Sequence, residues 1–130
     1  MKKILLVDDS RVTRELMKVY LIAKDVTLLE AADGKEALAR MQSDRPDLVL
    51  ADLRMPKLDG EMLCQAMRAN PITREIPVLI LTSNRDMESA RRCLTAGARE
   101  VLTKPIQPQP LIEAVNRNIG HSISGATNHP

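Results

Sequence analysis

At 130 residues, with 44% apolar and 28% charged, the chain has the size and balance of one soluble globular domain that needs no staples. A net charge of +2 gives no argument for nucleic acid, no apolar run is long enough to span a bilayer, and one Tyr with no Phe or Trp speaks against stacking sites for flavins or unpaired bases. Cys64 and Cys93 lie at no metal or redox spacing and read as reduced core fillers, which points to the cytoplasm.

The first predicted element is the apolar run Ile4 to Val7, a strand that stops at Asp8-Asp9. Ser10 is placed to cap a helix, and Val12, Leu16, Val19 and Tyr20 recur at helical spacing up to about Lys24. Val26 to Ala31 is a second strand, less uniformly apolar and therefore expected at an edge. Asp33 with Glu36 three residues on is a capping-box start to a helix carrying Ala37, Leu38 and Met41, which Arg45-Pro46 ends.

Leu48 to Ala51 is a buried strand ending in Asp52, with a loop marked by Pro56 and Gly60 after it. Asp59-Gly60 opens a third helix with Met62, Leu63, Ala66 and Met67 on its apolar side; Asp59 is read as its cap. Asn70-Pro71 ends that helix and Pro77 leads into the strand Val78 to Leu81, which closes on Thr82-Ser83-Asn84. A fourth helix with Met87, Ala90 and Leu94 runs to Gly97. Val101-Leu102 is a short fifth strand before Thr103-Lys104-Pro105, and a fifth helix is expected from near Pro110 with Leu111, Ile112, Val115 and Ile119 inward.

Strand and helix alternate five times, so the expected class is α/β: a doubly wound (βα)5 fold with a five-stranded parallel sheet and helices on both faces. The flavodoxin-like strand order 2-1-3-4-5 is the expected one, since right-handed crossovers leave few alternatives, and it would bring Asp8, Asp9 and Asp52 to one crevice at the switch point. Three crowded carboxylates at neutral pH call for a cation, and Mg2+ suits oxygen ligands. A carboxylate such as Asp52 can accept a phosphoryl group, with the Thr82 hydroxyl and the Lys104 ammonium as partners. Lys104-Pro105 is a candidate cis peptide.

Asp8-Asp9, Asp52 followed by Met-Pro-x-x-Asp-Gly, Thr82-Ser83 and Lys104-Pro105 each close a strand. Together they resemble the receiver domains of bacterial two-component response regulators, of the chemotaxis-regulator kind, over residues 2 to about 119. The resemblance implies that Asp52 is the phosphoacceptor and that Asp8, Asp9, Asp52 and the main-chain carbonyl of Arg54 hold Mg2+. It further implies that Lys104 contacts the phosphoryl group and that Thr82 follows it inward. The donor would be a sensor histidine kinase or phosphotransfer protein, docked in part on the helix that begins near Ser10. The face of the fourth helix, fifth strand and fifth helix would meet a downstream target or attached output domain. The domain would catalyse only its own phosphorylation and dephosphorylation, as a monomer or phosphorylation-dependent dimer, with no direct nucleic acid binding and no membrane insertion. Residues 1–119 would form the receiver, and 120–130 a polar tail or the start of a linker.

Three positions depart from the common pattern. Val101 stands where many receivers carry an aromatic, Arg54 where Asn is frequent, and Ile106 where Phe often follows Lys-Pro. Arg54 and Asn84 sit where the family tunes phosphoryl lifetime, and Arg54 could pair either with the phosphoryl group or with a neighbouring acid. Arg91, Arg92 and Arg85 form a basic spot that a solvated face explains as well as a partner does. A haloacid-dehalogenase-type hydrolase would need a second Asp where Arg54 stands. A flavodoxin relative would need a phosphate-cradling loop where Asp8-Asp9 places negative charge. A degenerate receiver serving as a scaffold would lack one of the acids or the lysine, and none is missing.

Overall fold

A computed structural model describes residues 1–23 and 25–120. Its elements in chain order are β1 (Lys2–Val7), α1 (Arg11–Leu21), β2 (Val26–Ala31), α2 (Gly34–Asp44), β3 (Leu48–Asp52), α3 (Gly60–Ala69), β4 (Val78–Thr82), α4 (Met87–Thr95), β5 (Glu100–Thr103) and α5 (Pro108–Ile119). A short 3-10 turn, Asn84–Asp86, precedes α4. All strand pairs are parallel, in the order β2-β1-β3-β4-β5. The expected class, order and two-sided covering are therefore those of the structure.

The continuous apolar strands are buried on both faces, and their side chains sort by the period of two that a pleated strand imposes. Ile4, Leu6, Leu48, Leu50, Leu79 and Leu81 face a core shared with Met17 and Leu21 of α1 and with Leu111, Ile112, Val115 and Ile119 of α5. Leu5, Val7, Val49, Ala51 and Ile80 face the opposite core, closed by Ala37 and Met41 of α2, Leu63 and Met67 of α3 and Cys93 of α4. β2 is only half-buried along most of its length, which fits the edge position expected for it.

The helix caps are local chemistry. The Ser10 hydroxyl accepts from Thr13 N at 3.2 Å, the Asp33 carboxylate from Glu36 N at 2.8 Å and the Asp59 carboxylate from Met62 N at 2.9 Å. Glu36 reaches back to the backbone N–H of Ala32, one residue before the cap. Gly97 and Gly120 both have positive φ, at 120° and 85°, at the ends of α4 and α5.

Two helices present different faces from those the spacing suggested. In α1, Val12 and Val19 are 78% and 68% exposed and Leu16 is 39% exposed, while Met17 and Leu21 point into the core; Tyr20 packs at its margin. In α4, Ala90 and Cys93 are buried while Met87 and Leu94 lie outside. Met62 of α3 is also exposed, and Cys64 takes an inner place. α1 ends at Leu21 rather than near Lys24, which lies outside the described residues, and α5 starts at Pro108 rather than Pro110. Residues 121–130, where most of the expected tail falls, lie outside the described residues as well.

Candidate functional site

The switch point of the sheet gathers the acids. β1 and β3 are neighbours, with Val7 opposite Ala51, so the residues that follow them leave the sheet side by side. One carboxylate oxygen each from Asp8, Asp9 and Asp52 lie within 4.8 Å of one another. Asp8 and Asp52 are buried and Asp9 is exposed, so the cluster opens to solvent on one side. β4 and β5 deliver the other two groups: Thr82 is buried at the end of β4, opposite Thr103, and Lys104 follows directly. Lys104 Nζ lies 2.8 Å from Asp52 Oδ1 and 3.8 Å from Asp8 Oδ2. The Lys104-Pro105 peptide is cis.

The loop after β3 is held close to the sheet. Gly60 N donates to Leu53 O at 2.9 Å, and a Cβ on Gly60 would approach the Leu53 Cα to 3.0 Å and the Asp52 carbonyl oxygen to 3.3 Å. Absence of a side chain at Gly60 is thus what lets α3 start directly against the end of β3.

Burial pushes the carboxyl groups of Asp8 and Asp52 above the usual carboxylate range. At Asp8 the Ser10 N–H, donating to Oδ1 at 2.8 Å, opposes this, and the negative charge of Asp52 adds to it. At Asp52 the hydrogen bond and charge of Lys104 oppose it. Asp8 Oδ2 is buried and accepts no hydrogen bond, because Lys104 Nζ is too far away. A buried acceptor without a donor is costly, and a cation among the three acids would satisfy it. The donor set contains only oxygens, which fits magnesium.

Thr82 Oγ1 donates to Ser83 O at 3.2 Å. Arg54, in the loop after Asp52, pairs through Nη2 with Asp86 Oδ1 at 2.5 Å, so in this structure its partner is the neighbouring acid. The basic spot on α4 is largely engaged: Arg92 pairs with Glu61 at 3.1 Å and Arg91 with Glu88 at 3.5 Å. All five groups expected at the strand ends, Asp8, Asp9, Asp52, Thr82 and Lys104, lie along the same edge of the sheet. Two contributors escaped the sequence reading. Arg14 of α1 donates to the carbonyl oxygen of Asp8 and to Glu30 of β2, and Asp86 engages Arg54. No spacing rule joins residues on different elements in this way, so the Arg14 contacts carried no sequence signal, and for Arg54 the sequence offered a neighbouring acid without singling out Asp86.

The model of the family "Response regulator receiver domain" matches residues 4–116. A gliding motility regulatory protein of Myxococcus xanthus is 39% identical over 116 residues, which is 88% of this chain and 15% of that protein. The chain spans about half the length of the next curated relatives. Among solved structures, the chemotaxis protein CheY4 of Vibrio cholerae aligns at TM-score 0.83 and 33% identity, covering 91% of this chain and 98% of that one. The receiver domain of a sensor histidine kinase of Pseudomonas aeruginosa PAO1, described with a magnesium ion coordinated in the active site cleft, aligns at TM-score 0.82 and 32% identity, covering 92% and 98%.

Proposed function

This chain belongs to the response regulator receiver domain family, the phosphoacceptor switches of two-component signalling, and we propose that Asp52 is its acceptor. The observation that carries this assignment is the Lys104 ammonium 2.8 Å from Asp52 Oδ1, beside the carboxylates of Asp8 and Asp9. The ammonium holds one oxygen of Asp52, and the other attacks phosphorus. The donor's N–P bond breaks as the Asp52 O–P bond forms, and the donor imidazole leaves with the electron pair. Asp8, Asp9, Asp52 and the Arg54 carbonyl would hold Mg2+, which when bound screens the negative charge of nucleophile and donor.

Lys104 then pairs with the phosphoryl oxygens, and Thr82 turns its hydroxyl from Ser83 O toward them. The result is a population shift between two conformations of the β4 and β5 ends. The domain catalyses nothing but its own phosphorylation and dephosphorylation. The donor is a sensor histidine kinase or phosphotransfer protein in the cytoplasm, and the exposed apolar residues Val12, Leu16 and Val19 of α1 support docking there. Residues 1–119 form the receiver, and 120–130 a polar tail or the start of a linker.

Incubation of the chain with Mg2+ and acetyl phosphate is expected to add one phosphoryl mass. Asp52→Asn, or a chelator in place of Mg2+, should abolish it. Equal labelling of Asp52→Asn would reject the acceptor.

A further inference from the structure

The Arg54–Asp86 pair joins two loops that flank the site. Arg54 follows β3, Asp86 follows β4, and these strands are neighbours with Asp52 opposite Leu81. Asp86 Oδ2 also accepts from Ser83 Oγ at 3.4 Å, and Asp86 N donates to Ser83 O at 3.1 Å. One carboxylate therefore ties the Arg54 side chain to the residue that follows Thr82 and to the start of α4. The Arg54 side chain is 66% exposed and that of Asp86 only 18%, so the acid is the anchored member and the guanidinium the movable one.

We infer that Asp86 holds the Arg54 guanidinium in competition with a phosphoryl group on Asp52, and that phosphorylation draws Arg54 from the first anion to the second. This rests on the reading of Asp52 as the acceptor. A phosphoryl group carries a charge near −2, roughly twice that of a carboxylate, and offers three acceptor oxygens to a planar fork of donors. It forms two residues from Arg54. As Arg54 leaves Asp86, the Ser83–Asp86 segment loses its tie to the loop after β3, and the first turn of α4 is released. Such a coupling reaches α4 without the aromatic side chain that Val101 replaces.

A pair that merely staples two loops predicts something different. Breaking a staple from either side would act in one direction. Breaking a competition acts in opposite directions: Asp86→Asn frees Arg54 for the anion, whereas Arg54→Ala removes it.

The test uses the whole chain with Mg2+ and fluoroberyllate as the phosphoryl probe, its apparent affinity read by NMR titration. Thermal melts check that each variant is folded, and Asp86→Ser serves as a second variant at that position. Asp86→Asn is expected to tighten the probe about threefold and Arg54→Ala to loosen it by a similar factor, the scale of one partly exposed ion pair. The double variant should match Arg54→Ala alone. Asp86 variants that loosen the probe or leave it unchanged would overturn the competition. A wild-type chain that fails to bind the probe, or binds it equally as Asp52→Asn, would overturn the acceptor assignment itself.

Discussion

Asp8 sits in the site with one oxygen bonded to the Ser10 N–H and the other unbonded, and burial raises its pKa together with that of Asp52. A carboxyl whose pKa is raised on folding adds stability only while protonated. That contribution is complete below the unfolded value of 3.8 and is lost as pH rises through the higher folded value. The metal-free protein is therefore expected to lose stability through these two groups as the solution leaves the acid range. At the proposed metal site Mg2+ is expected to reverse the loss, since it would bind the charged forms. Thermal melts with and without Mg2+ should give a larger increment near about pH 7 than near about pH 4, where protonation competes. Asp8→Asn should melt above the metal-free wild type at about pH 7 and show a much smaller magnesium increment. An increment independent of pH and of Asp8 would count against the metal site.

Local signals fixed the helices but not which side of each meets the sheet. The caps at Ser10, Asp33 and Asp59 were legible because a cap is a short-range bond between a side chain and a backbone N–H three residues on. In α1 two apolar stripes overlap: Val12, Leu16 and Val19 on one side, Met17 and Leu21 on the other. Periodicity detects both and has no means of choosing between them. In α4 Ala90 faces the core as the spacing suggested, but Cys93 joins it while Met87 and Leu94 stay outside. Gly34 illustrates a constraint with no sequence signal of its own. A Cβ there would lie 2.4 Å from Leu58 Cδ2 and 2.6 Å from the Leu58 carbonyl oxygen. The side chain could rotate away, but the backbone oxygen could not, so α2 or the loop before α3 must shift. Gly34→Ala is expected to destabilise the fold by about 1–3 kcal/mol, the usual cost of overpacking. A lowered urea midpoint at unchanged slope would register it, and an unchanged midpoint would mean that the contact yields freely.

At the scale of the whole molecule, the alternation of five apolar strands with helices left few topologies open, and the strand order then decided which strand ends meet. Hence Asp8, Asp9, Asp52, Thr82 and Lys104 were legible together, as consequences of the sheet, whereas Arg54 with Asp86 depends on side-chain reach between loops. This division predicts that core and site can be perturbed separately. Leu50 is fully buried in the middle of β3, between Leu6 and Leu79, in the core that α1 and α5 close. Leu50→Ala should cost about 2–5 kcal/mol from lost burial and the remaining cavity, a large share of the ~5–15 kcal/mol that a domain commonly has. The ligand-linked increment depends only on metal concentration and affinity, so at saturating Mg2+ it should survive Leu50→Ala unchanged. Urea unfolding of wild type, Leu50→Ala and Asp8→Asn, each with and without Mg2+, separates the two effects. Loss of the increment in Leu50→Ala would mean that packing beneath β3 sets the geometry of the acids at its end. Its retention, with loss in Asp8→Asn, would mean that the strand ends hold the site by their own backbone pairing.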